Sequence, residues 1–133
     1  MMSILRVSSD SLDLDALRRL LPGLHPDATW RAGEPHGRRG TATTSGFNVM
    51  LVSGPDWRQL LDRTLKSLEA VEPLLGAAMT ANVNVELDFS LEVGGEQFFT
   101  RTASFSPAQT KHLSDLGVTV LVSAYPVSDG EQA

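Results

Sequence analysis

The chain contains no cysteine, which excludes a disulfide framework, a thiolate nucleophile, a zinc knuckle and an iron–sulfur cluster. No stretch approaches the roughly 18 apolar residues of a membrane-spanning helix. The opening "MMSILRVSSD" lacks a cationic segment followed by a long apolar run, so the expectation is a cytoplasmic chain without a membrane partner. Positive charge is also short: the formal net charge is −5. Residues 1–46 carry six arginines against five acids, whereas residues 47–133 carry five basic groups against eleven acids. Non-specific affinity for nucleic acid rests on several phosphates neutralised together, and three arginines flanking Glu34 make only a thin patch, so nucleic acid is not an expected partner. Internal repeats, low-complexity tracts and interdomain linkers are all missing. With 133 residues and 41% hydrophobic content, what remains is one α+β domain spanning 1–133 that folds without help.

The pattern within it is regular. "SILRV" reads as an opening strand, and Asp13 caps a first helix that runs to about Leu21, with Leu12 and Leu17 at the positions of a hydrophobic staple. Pro22 and Gly23 stop that helix. "GFNVMLVS" has the length of a strand. Ser53 and Asp56 have the spacing of a capping box ahead of a long helical stripe through Trp57, Leu60, Leu61, Leu65, Leu68, Val71, Leu75 and Met79, which Pro73 kinks or restarts. In "NVNVELDFSLEV", Val83, Val85, Leu87, Phe89, Leu91 and Val93 alternate with Asn84, Glu86, Asp88, Ser90 and Glu92, the period of a half-buried strand with an acidic outer face. Gly94-Gly95 reads as a two-residue hairpin into "EQFFTRTASF". Ser106, Pro107 and Gln109 open another helix, closed by Gly117 before the strand "VTVLVSAY". The expected fold is α+β: an open, mainly antiparallel sheet of about five strands, with a long central helix and two shorter helices packed on one face.

Chemistry is harder to find. Thr29 to Gly46 holds Gly33, Gly37, Gly40 and Gly46 with Arg31, His36, Arg38 and Arg39, yet "GRRGTA" lacks the lysine of a phosphate-binding loop, and its glycines precede a strand where a dinucleotide site has them between strand and helix. It reads as a surface loop with Arg31, His36, Arg38 and Arg39 as a candidate anion site. His25, His36 and His112 show no metal-ligand spacing, and no serine sits in a nucleophile elbow. Glu86, Asp88 and Glu92, on one side of one strand, read as its wet face rather than as an acid–base pair. Trp57 belongs to the core, while Trp30 either caps the sheet or sits beneath the arginine loop. No catalytic residue, metal or cofactor is implied.

Pro26, the segment Trp30-Arg31-x-Gly33-Glu34, the "SGF" strand opening at Ser45, the leucine-striped helix and the closing "LSDLGVTVLVSAYP" together resemble the bacterial domain of unknown function family 4279 over nearly the whole chain. Phe47 stands where that family leads one to expect tryptophan, and the histidine–arginine insert is the chain's own. The resemblance implies a small bacterial cytoplasmic α+β domain and brings no reaction and no catalytic residues. The leading expectation is a non-catalytic protein-interaction module of immunity or regulatory type, and the alternative is a small-molecule or anion site in the loop after Trp30. Homodimerisation through an edge strand or an uncovered apolar patch is compatible with either.

A two-residue turn at Gly94-Gly95 sets a register. It opposes Phe89 to Thr100 and Leu87 to Thr102 on the core side, pairs Asp88 with Arg101 outside, and turns Phe99 and Phe105 outward. Glu86, Asp88, Phe99, Arg101 and Phe105 are therefore the expected partner surface.

Overall fold

β1 (Met2–Ser9) alternates strictly between half-buried and buried residues, as the two-residue period of a strand with one face on the core imposes even on Ser3 and Ser9, which lie on the buried face, and on Met2 and Ile4, which lie on the other. It is the central strand. The computed structural model describes residues 1–95 and 100–127, with Arg39 described by its backbone alone. In chain order β1 is followed by α1 (Leu14–Leu20), β2 (Ala28–Trp30), β3 (Ser45–Ser53), α2 (Trp57–Glu69), α3 (Glu72–Thr80), β4 (Asn84–Val93), α4 (Pro107–Leu116) and β5 (Thr119–Pro126). The sheet runs β2-β3-β1-β4-β5. Its first three pairings are antiparallel, and β4 with β5 is parallel, so the sheet is mixed.

Register builds the core. Leu5 lies opposite Val49 on one side and Leu87 on the other, and Val7 opposite Phe47 and Val85. These six side chains point to one face, where they join Leu14 and Leu17 of α1, Leu60, Leu61, Leu65 and Leu68 of α2, Leu75 and Ala78 of α3, and Leu113 and Leu116 of α4 in a single buried cluster. Two of the buried hydroxyls on this side satisfy each other: Ser3 Oγ and Thr64 Oγ1 are 2.7 Å apart and fully buried, as buried polar groups must be.

The helix ends follow local chemistry. Asp13 accepts from the Ala16 amide at 2.8 Å. In α4 the Ser106 hydroxyl accepts from the Gln109 amide while the Gln109 side chain accepts from the Ser106 amide, and Gly117 closes the helix at φ 74°. Two expectations are corrected here. The cap of α2 is Asp56, accepting from Gln59 at 2.9 Å, with Ser53 left in β3. The expected long central helix is two helices, because Pro73 in the first turn of α3 has no N–H to continue the ladder; the chain breaks at Val71, at φ −114° and ψ 8°.

The larger correction concerns the hairpin. Gly94 and Gly95 have the positive φ that such a turn needs, 101° and 67°, but Thr100 to Phe105 form no strand, and Glu96 to Phe99 lie outside the described residues. The place beside β4 is taken by β5, so Val122 stands next to Phe89 and Val120 next to Leu87. A parallel neighbour needs a crossover, and α4 supplies it.

Candidate functional site

The four helices all pack on the Leu5 side, so among the described residues the opposite face of the sheet carries no layer. Arg6 stands at its centre. Cross-strand register places Asn48 on one side of it and Glu86 on the other, and the guanidinium uses both: Nε donates to Asn48 Oδ1 at 3.2 Å and Nη1 to Glu86 Oε2 at 3.2 Å. Nη2 lies 3.7 Å from Asp88 Oδ2. The other carboxylate oxygens are also engaged, since Asn84 Nδ2 donates to Glu86 Oε1 at 3.1 Å and Ser123 Oγ to Asp88 Oδ1 at 2.8 Å. Asp88 is only 5% exposed although no helix covers it; in the register it stands between Ile4 of β1 and Leu121 of β5.

This differs from the expected wet row. Glu86 and Asp88 lie on the outer side as the alternation requires, but they are ion-paired and partly or wholly buried. Arg6 holds the place expected for Arg101. Arg101 itself lies half-buried in the segment after the glycines. Phe105 is not outward: it packs edge-on against Trp57 and Phe89, with ring centroids 5.4 and 5.8 Å away. Trp57 Nε1 donates to the Ser104 carbonyl at 3.0 Å, pinning this segment to the helix side. Phe99 lies outside the described residues. The apolar groups that do reach the open face are Met50 and Tyr125, 50% and 53% exposed, with Ile4 and Leu121 half-buried between them and Trp30 half-buried at the β2 edge.

The glycine-rich stretch is folded back on itself. The Gly33 amide donates to the Ala42 carbonyl and the Ala42 amide to the Glu34 carbonyl, at 2.8 Å each, and the His36 amide donates to the Gly40 carbonyl at 2.7 Å. Trp30 satisfies both of its readings. Its indole lies across Gly46, capping the sheet, with Nε1 donating to Thr44 Oγ1 at 3.2 Å, and His36 leans over it at a centroid distance of 5.8 Å. Between this loop and the sheet is a cavity of about 600 Å³ lined by Arg6, Asn48, Trp30, Glu34 and His36 among others. Of the four expected anion ligands, His36 lines it. Arg31 turns away to Asp15 at 3.3 Å, Arg38 is exposed outside the lining, and the Arg39 side chain lies outside the described residues.

Arg6 is the residue that sequence reasoning missed. It is the lone charge in β1, a signal visible in "SILRV", but its partners depend on a register the sequence does not show. Among the described residues no group of three histidines or carboxylates is placed to hold a metal ion, and no helix is long and apolar enough to cross a membrane. No protein-family model, no curated protein and no solved structure matches the chain.

Proposed function

We propose that the chain is a non-catalytic binding module whose uncovered sheet face docks a positively charged protein, as an immunity-type or regulatory partner in the bacterial cytoplasm. The observation that carries this reading is the charge of that face: one guanidinium against Glu86 and Asp88 at its centre, with Glu92 exposed on the same side of β4. Carboxylates already accepting from Arg6, Asn84 and Ser123 are held as fixed acceptors, which suits recognition better than proton transfer. The surplus negative charge steers a basic partner, and exposed Met50 and Tyr125 supply apolar area at the rim. Membership of family 4279 is part of the same proposal and rests on the Trp30 to Glu34 segment.

Affinity capture from the source lysate tests it, with the wild-type chain and a Met50→Lys/Glu92→Lys variant as parallel baits. The expected result is a basic protein retained by the wild type, released by salt, and retained at least tenfold less by the variant. No capture, or equal capture by both baits, counts against the reading.

The cavity beside Trp30 favours a second reading, a small ligand held by the Arg6 and Asn48 donors and the indole face. A screen of organic acids, phosphates and nucleotides by thermal shift tests it, since ligand at a hundred times its Kd adds about 2.7 kcal/mol of stability. In a Trp57→Phe chain Trp30 is the only indole, so binding would also alter its fluorescence. Neither signal with any compound would remove this reading.

A further inference from the structure

The two edges of the sheet are built differently. β2 is three residues long, and the chain around it is tied down: the Asp27 amide donates to the Asn48 carbonyl at 2.8 Å, and the Asp27 carboxylate accepts from the Met50 amide at 2.6 Å. That is a guarded edge. β5 is eight residues long and pairs with β4 on one side. Among the described residues no strand pairs with its other side. From Gly117 to Val127 the sequence "GVTVLVSAYPV" holds no charged residue, in a chain where one residue in five is charged, and its first proline is at 126. Val122, on the helix side of β5, is 48% exposed. Next to it a mainly apolar cavity of about 320 Å³ opens between α4 and β5, lined by Phe105, Leu113, Val118 and Val120 with Thr110 and Ser114.

We propose that β5 is a homodimer edge, and that its occupant is β5 of a second copy in antiparallel pairing about Val122. Charge selects this occupant. Two chains of net charge −5 repel over most of their surfaces, but along β5 they meet without opposing like charges. Pairing about Val122 sets Val120 opposite Ala124, Leu121 opposite Ser123 and Thr119 opposite Tyr125, every pair neutral. Each outward N–H and C=O then finds a partner. The exposed Val122 side chains meet across the two-fold axis and extend the apolar lining of both cavities. An isologous contact of this kind closes at two copies. The two-fold axis runs perpendicular to the sheet, so both uncovered faces lie on the same side of a ten-stranded sheet. The dimer does not depend on what those faces bind.

Sedimentation equilibrium at tens of micromolar tests the proposal, and the expected mass is twice the 14.3 kDa of one chain. Val122→Lys, at a half-exposed position outside the core cluster, should halve that mass and leave the far-UV circular dichroism unchanged. A second variant decides the matter should the lysine disturb folding. The wild type has no cysteine, so Val122→Cys should form an intermolecular disulfide under mild oxidation, and Ala28→Cys on the guarded edge should not. A single-chain mass for the wild type, a double mass surviving in folded Val122→Lys, or equal cross-linking from both cysteine positions would overturn it.

Discussion

Gly46 is fixed by its neighbours rather than by its own backbone, since it is absent from the glycines with positive φ. A Cβ there would run into the Val7 carbonyl and the Trp30 indole, and backbone cannot give way as a flexible side chain can. Gly46→Ala should therefore cost about 2 kcal/mol, the scale of overpacking, read as a shift of the urea midpoint at unchanged slope. Trp30 would be displaced with it. Arg6 makes the opposite case, a long side chain whose removal leaves a gap in charge. Arg6→Ala strips Asp88 of its cation and leaves the Ser123 hydroxyl as its donor. Its expected cost is about 2 kcal/mol by urea unfolding, below the range for fully buried pairs because the Arg6 side chain keeps 31% exposure. A variant as stable as the wild type would show that the network contributes nothing. Trp30, Gly33 and Glu34 were visible in the sequence as an unusual cluster, but the Arg6–Glu86 contact joins residues far apart in the chain. Only strand order and register bring them together.

Elements with punctuation were legible, and elements without it were not. The starts of α1 and α4 and the Gly117 stop are set within a turn or two by side chains that bond the first and last backbone groups. Ser106→Ala should accordingly lose about 1 kcal/mol, measured by thermal or urea unfolding, with the loss confined to stability. β2, at three residues, is too short to show a period. β5 was recognised as a strand, but the place beside β4 was assigned to the segment after Gly94-Gly95, because two glycines after β4 signal a hairpin locally while the α4 crossover that wins acts over the next thirty residues. On the exposed side of α4 the Lys111 ammonium donates to Asp115 at 2.7 Å, and that bond, with the charge of Asp115, holds the Lys111 pKa above its ordinary value. A raised pKa of this kind stabilises while the lysine is charged, so the contribution is whole at neutral pH and is lost as pH climbs through the lysine range. Wild type and Lys111→Gln should differ slightly in urea midpoint at pH 7 and converge in strong alkali.

At the scale of the molecule, four helices lie on one side of a five-stranded sheet, and among the described residues the other side carries no layer but presents three of the eleven acids of residues 47–133, Glu86, Asp88 and Glu92, along β4. Layering of this kind was readable from the alternation in β4 and the leucine stripe of α2; that the described residues put no layer on the second face was not, because no local pattern reports what does not pack on a sheet. The placement of β1 has one more consequence. The first strand in the sequence lies in the middle of the sheet, bonded to β3 on one side and β4 on the other, so its pairing is complete only after β4 has been synthesised. Closing loops of that length slows folding. It also ties the release of β1 to the loss of everything around it. In native-state hydrogen exchange the amides of Leu5, Arg6 and Val7 should open only with global unfolding, while those of β2 exchange through local opening. Equal protection in the two strands would contradict this order. The segment that waits longest to be paired is thus the one that holds its protons longest.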